Sequence, residues 1–181
     1  FTRYHQLNKG ADRDLSELMY SGRDRRFYTA IVYDKCSWIG ETVELNLGGN
    51  LSAGVRDKED GGWYNTTTGY YWRKGNIENP TPRAYHNCQV ALHFNIVRLG
   101  EAYMNLAEAY LLKHDVPNAV KALNMTRTIH GGLSESTAAT EEEAWADYIR
   151  ERNCELTNEG GDIYYSYLRW GKYGGYANHG R

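Results

Sequence analysis

A chain of 181 residues is long enough for one domain with its own core, and its 21 basic against 23 acidic residues, a net charge of −2, supply no basic face of the kind nucleic-acid binding needs. No run approaches the ~18 apolar residues of a membrane span, and no basic-then-apolar leader stands at the start; "FTRYHQLNKGADRDL", without an initiator Met, reads as a cut made inside a longer protein. Cys36, Cys88 and Cys154 are odd in number and far apart, which points to free thiols rather than a disulfide framework or zinc site.

The first portion, residues 1–90, is rich in Gly, Asn, Thr and aromatics. "FYTAIVY" (27–33) is a short apolar run, and "ETVELNL" (41–47) alternates with a period of two, predicting a short strand. "GGN" (48–50), "DKEDGG" (57–62) and "NPTP" (79–82) are turn signals, so this portion should be long loops with a few strands. Asp57, Glu59 and Asp60 offer oxygen ligands of the kind calcium takes. The twelve-residue calcium-loop pattern is missing, so a solvated turn is expected there and no cofactor overall.

The sixteen Tyr and five Trp outnumber three Phe. Tyr and Trp join a flat apolar face to a polar edge and suit half-wet sites. Trp38 in "DKCSWIGE" (34–41), and Trp63, Tyr64, Tyr70, Tyr71 and Trp72 in "GGWYNTTTGYYWRKG" (61–75), sit among glycines and polar residues. A sugar ring has an apolar C–H face for such rings to stack on and a hydroxyl rim for amides and carboxylates. Trp38, Trp63 and Tyr64, with Asn65 and Asp60 beside them, are the candidate glycan platform; the competing reading is that the rings pin loops onto helices.

The second portion, 91–181, is helical to about residue 170. A helix is predicted over 91–115, with Ile96, Gly100, Tyr103, Ala107 and Leu111 on one face. Asp115 can cap and Pro117 can open a second helix over 118–132, with Val120, Leu123 and Ile129 inward and Gly131-Gly132 as its stop. Thr140 and Glu143 form a capping-box pattern for a third helix over about 141–158. After Gly160-Gly161, Asp162 can cap a short fourth helix carrying Ile163, Tyr167 and Leu168. "LGEAY" (99–103) fits the L-G-x2-Y core of the tetratricopeptide pattern. The fold class is therefore mainly α: tetratricopeptide-like helical hairpins with a loop-rich, partly β N-terminal portion.

The sequence contains no G-x-S-x-G, H-E-x-x-H, G-x-x-x-x-G-K-[ST] or G-x-G-x-x-G. Glu101 and Glu108 lie seven apart, and Glu151, Glu155 and Glu159 at i, i+4, i+8. Paired carboxylates can break a glycosidic bond, but beside Arg150 and Arg152 on an amphipathic helix they read as solvated or ion-paired.

"RERNCELTNEGGDIYYSYLRWGK" (150–172) resembles the signature of the SusD/RagB family through Glu151, Arg152, Glu155, Leu156, Glu159, Gly160, Arg169, Trp170, Gly171 and Lys172. The family's arginine after Gly160 is replaced here by Asp162 or missing. "RLGEAYMNLAEAYL" (98–111) resembles its R-x-A-E-x-x-L-x-x-A-E-A helix, and "ALNMTRTIHGGL" (122–133) its L-N-x-x-R-x-R-A-G-L stretch. "GRDRRF" carries a D-x-R in Asp24 and Arg26, and "TGYYWRK" resembles a T-G-Y…K stretch, which marks Trp72 as scaffold. The resemblance implies a non-enzymatic, lipid-anchored glycan-binding protein on the outer surface of Bacteroidetes, partnered by a SusC-like TonB-dependent transporter. It implies that this chain is the C-terminal part, without the anchor, early repeats and tail. It also implies that residues 148–172 are scaffold. A pure protein-interaction scaffold and a glycoside hydrolase are the alternatives.

Overall fold

The computed structural model describes residues 19–45, 68–76 and 95–171. Among them are five helices, α1 (Arg25–Ala30), α2 (Leu99–Leu112), α3 (Val116–Ile129), α4 (Glu141–Glu155) and α5 (Asp162–Arg169). There are also four two-residue strands, β1 (Ile31–Val32), β2 (Ser37–Trp38), β3 (Glu41–Thr42) and β4 (Tyr71–Trp72). The chain divides into two units, Phe1–Arg23 with Val32–Tyr71, and Asp24–Ile31 with Trp72–Arg181.

In the first unit, β2 and β3 form an antiparallel hairpin with Ser37 opposite Thr42 and Trp38 opposite Glu41. Its two-residue turn has Ile39 at φ 51° and Gly40 at φ 80°, the paired positive φ values that match strand twist in tight hairpins. Gly40 adopts this freely, whereas Ile39 is β-branched and strained there. The predicted alternation over 41–47 appears as burial of Val43 and Leu45 around exposed Glu44. Val43 and Leu45 join Val32 and Cys36 in a small core, with Tyr33, Trp38 and Tyr71 packed on it.

The second unit is built by the helices. Asp115 caps α3 by accepting from the Asn118 amide, and Pro117 stands in its first turn, as predicted. Thr140 and Glu143 close the predicted capping box on α4. A short turn at Lys113–Asp115 folds α3 back on α2, and α4 packs on both. Their core is Met104, Ala107 and Leu111 of α2, Ala119, Ala122 and Leu123 of α3, and Ala144 and Tyr148 of α4. Trp170, after α5, packs against it.

Four expectations are corrected. The first long helix begins at Leu99, because Arg98 is extended (φ −128°, ψ 163°). Ile96 therefore lies outside the helix and is 87% exposed, and Tyr103 is only half-buried. Ile129 is exposed: six residues beyond Leu123 is a rotation of about 240°, and the inward position one turn on belongs to Thr126. The third helix stops at Glu155, since Asn158, Gly160 and Gly161 all take positive φ. Asp162 does not cap α5; Gly161 holds that position at φ 75°, and the Asp162 carboxylate serves Arg152 instead.

Leu123 has no exposed surface. Leu123→Ala should lower stability by about 2–5 kcal/mol through the cavity it leaves, read as a shift of the denaturant midpoint at unchanged slope.

Candidate functional site

The signature carboxylates of α4 lie inside the second unit: Glu151 is 1% and Glu155 2% exposed. A buried carboxylate costs several kcal/mol unless it is paired and hydrogen-bonded, and both are. Arg26 Nη1 donates to Glu151 Oε1 at 2.5 Å and to Glu155 Oε2 at 2.9 Å, and its Nη2 to Glu151 Oε2 at 3.1 Å. Asp24 caps α1 by accepting from the Arg26 amide at 2.8 Å. The same carboxylate holds the guanidinium, accepting from Nη2 at 2.5 Å. Thr126 Oγ1 donates to Glu151 at 2.7 Å, and His130 Nδ1 lies 2.8 Å from Glu155 Oε1. Arg98 pairs with Glu155 and forks onto both oxygens of Glu159 at 2.8 and 2.9 Å. Lys74 pairs with Glu159 and donates to the Glu155 carbonyl at 3.1 Å.

Gly100 and Gly131 make room for this belt. A Cβ on Gly100 would run into the Glu155 carboxylate and the Arg98 guanidinium. The small residue of the L-G-x2-Y pattern thus admits an ion pair here, not a neighbouring helix as the repeat pattern suggests. A Cβ on Gly131 would lie 2.7 Å from Arg26 Nη2.

A second cluster surrounds Glu108 of α2. It accepts from Tyr148 OH at 2.6 Å, Arg169 Nη2 at 2.7 Å and Nε at 2.9 Å, and Trp170 Nε1 at 3.0 Å. Buried Arg152 lies beside it and binds Asp162 through Nε at 2.9 Å and Nη2 at 2.5 Å.

Neither cluster is built for acid–base work. Burial alone would raise the Glu108 carboxyl, but the Arg169, Tyr148 and Trp170 donors outweigh it and hold the group at about 2. Burial likewise opposes, and the donors overcome, in Glu155 (Arg98, Arg26 and His130) and Glu159 (Arg98 and Lys74), whose values are lowered. A glycosidic general acid needs the opposite shift. The reading of 151, 155 and 159 as ion-paired scaffold acids fits; their solvation does not.

The opening that these elements leave is a groove of about 500 Å³. Asn95, Ile96, Val97 and Glu101 line it at the head of α2, Lys74 and Gly75 on one wall, and Asn158, Glu159, Asp162 and Tyr165 on the other. The sequence reading passed over Asn95 and Tyr165. The available signal was a tyrosine one turn after a Gly-Gly pair, beside an exposed "NIV" (95–97) preceding a helix.

Of the predicted platform, Trp38 is half-buried against the small core of the first unit, with its Nε1 enclosed and unpartnered among the described residues. Trp63, Tyr64, Asn65 and Asp60 lie outside the described residues, as do Asp57, Glu59 and Cys88. Trp72, assigned to scaffold, is about half exposed. Cys36 and Cys154 are free thiols. Among the described residues no group of three or more His, Cys, Asp or Glu could hold a metal, and no helix is long and apolar enough to cross a membrane.

A family model described as the SusD family matches residues 4–180. The crystal structure of a SusD-like protein from Bacteroides fragilis superposes with a TM-score of 0.69 at 30% identity, over 85% of this chain and 29% of that one. The chain thus spans under a third of the length of that solved relative. Among curated proteins, none matches.

Removing the Arg26 guanidinium strands two buried carboxylates, so Arg26→Ala should cost about 3–5 kcal/mol, measured by chemical denaturation. The acid limb is a second check. Glu108 has a folded value near 2 against about 4.3 unfolded. Its contribution is full above pH ~4.3 and is lost as pH falls toward 2, a loss of at most about 3 kcal/mol. Melting temperature should therefore fall steeply below pH 4, and Glu108→Gln should flatten that fall while lowering stability at pH 7.

Proposed function

The chain belongs to the SusD family, and on that premise we propose that it is part of a surface glycan-binding protein of the bacterial outer membrane that delivers oligo- or polysaccharide to a SusC-like TonB-dependent transporter. The full-length protein is held by a lipid anchor and performs no chemistry on the sugar. The observation that carries this reading is the fate of the family-matching residues. Asp24, Arg26, Arg98, Glu151 and Glu155, spread over more than a hundred positions, meet in one buried belt. Such residues specify a scaffold, and their carboxylates are shifted away from acid–base use.

Recognition falls to surface aromatics. Trp38, Trp63 and Tyr64, with Asn65 and Asp60, are the proposed stacking platform. Trp38 sits beside a strained hairpin tip, and non-glycine residues at positive φ cluster where function over-determines the backbone. Its half-buried ring is fixed on one side by Val32, Cys36, Val43 and Leu45, so little side-chain entropy remains to be lost on stacking.

Calorimetry of the full-length protein against a panel of oligosaccharides should give binding without new reducing ends. Trp38→Ala and Trp63→Ala, shown folded by circular dichroism, should each weaken it by about 1 kcal/mol or more, roughly fivefold. Turnover that disappears in Glu155→Gln would instead mark an enzyme.

A further inference from the structure

We infer that the groove at the head of α2 is itself a binding site for a neutral, polyhydroxylated ring, a carbohydrate subsite on the scaffold separate from the proposed aromatic platform. The inference rests on the reading of the protein as glycan-binding for its biological setting. Its chemistry comes from the groove alone.

Size comes first: about 500 Å³ falls within the ~300–1,000 Å³ range of small-ligand sites. The apolar surface is the second point. Ile96 and Val97 stand exposed at 87% and 66% on the stretch before α2, and Tyr165 faces the same groove from α5 with its ring 62% exposed. An aliphatic ridge and an exposed phenol ring suit the C–H face of a pyranose. The Tyr165 ring has a fixed seat, its edge in van der Waals range of any Cβ placed on Gly161 and its face tilted against Tyr164.

The polar inventory sets the ligand class. Every cation lining the groove is committed: Lys74 to Glu159 and the Glu155 carbonyl, Arg98 to Glu155 and Glu159. Asp162 is committed to Arg152. Among the described residues the groups left open are the Asn95 amide, the Glu101 carboxylate and the Tyr165 hydroxyl. An anionic ligand such as a uronate, sulfate or phosphate would meet an unpaired carboxylate and no free cation. An apolar peptide would bury that carboxylate and amide without partners, at a cost of about 1–3 kcal/mol each or more. Hydroxyls satisfy all three, donating to Glu101 and exchanging with the amide and the phenol. The remaining class is a neutral sugar.

The test titrates the full-length protein with neutral malto-, cello-, xylo- and manno-oligosaccharides and with oligogalacturonate. The variants are Tyr165→Ala, Asn95→Ala and Ile96→Glu; all three positions are exposed, and Ile96 precedes the helix, so at least one variant will keep the fold. The expected result is that a neutral oligosaccharide binds the parent, and that folded groove variants lose one binding event or weaken it about fivefold or more. Trp38→Ala should leave that event intact. If the parent binds a neutral oligosaccharide and all folded groove variants bind it with the same stoichiometry and affinity, the groove is not a subsite and the proposed function still stands. If the parent prefers oligogalacturonate and Tyr165→Ala abolishes that preference, the neutral class is wrong. If the parent binds no glycan at all, both readings fall.

Discussion

The second unit depends on two carboxylates that have no water to face. Glu151 and Glu155 sit one turn apart on α4, almost wholly enclosed, and desolvation would neutralise them or unfold their surroundings if nothing answered their charge. Much local structure follows from the answer. Arg26 must arrive from more than a hundred residues upstream, so α1 is placed by its partners more than by its six-residue length. Asp24 both caps α1 and braces the guanidinium. Arg98 must leave the helical path to reach Glu155 and Glu159, which sets the start of α2 at Leu99. Gly100 and Gly131 clear the space that these side chains fill.

The Glu108 cluster applies the same solution across a different seam. One carboxylate on α2 collects donors from α4, α5 and the residue after it, so the short last helix is tied to the core by hydrogen bonds and by Trp170. Tyr148 joins the two modes of cohesion: its ring is in the apolar core and its hydroxyl is in the polar cluster. Buried charges thus do here what larger apolar contacts do in longer helical repeats, and they do so with geometry more exacting than packing. The sequence-level attraction of these glutamates as catalysts dissolves on the same ground. A group that holds four donors has no lone pair to offer a substrate, and its proton affinity is driven down.

Local signals proved legible in the sequence. The Asp115 cap, the Thr140/Glu143 box, the Leu123 core position and the short strand near 41 all depend on neighbours within a few residues, where spacing carries the information. What escaped depends on partners far apart in the chain. Periodicity counts apolar residues, so it placed Ile96 and Ile129 inward and could not see that Glu108, Glu151 and Arg152 occupy the buried faces. The family resemblance marked most of those polar residues without saying which would meet. Asp162 shows the cost of local reasoning: an acid after a Gly-Gly pair looks like a cap until the arginine ten residues back claims it. The glycan platform was legible only as composition, since stacking surfaces have no period, and only Trp38 of it falls among the described residues.

The groove and the belt share Lys74, Arg98 and Glu159, and that sharing decides what the groove can hold. Because the belt needs every nearby cation to neutralise its own carboxylates, none is left over to attract an anion at the surface. The groove's floor is therefore polar in composition but balanced in charge, and its recognition groups are those the scaffold did not need: an amide, one carboxylate and a phenol. The floor is also stiff, for moving Arg98 would uncover Glu155. A ligand there meets a surface whose charges are already satisfied and whose shape does not have to form on binding, which lowers the ordering cost of association. The constraint that keeps two glutamates buried thus also selects for neutral ligands at the rim, and a change that freed Arg98 from Glu155 would alter stability and ligand class together.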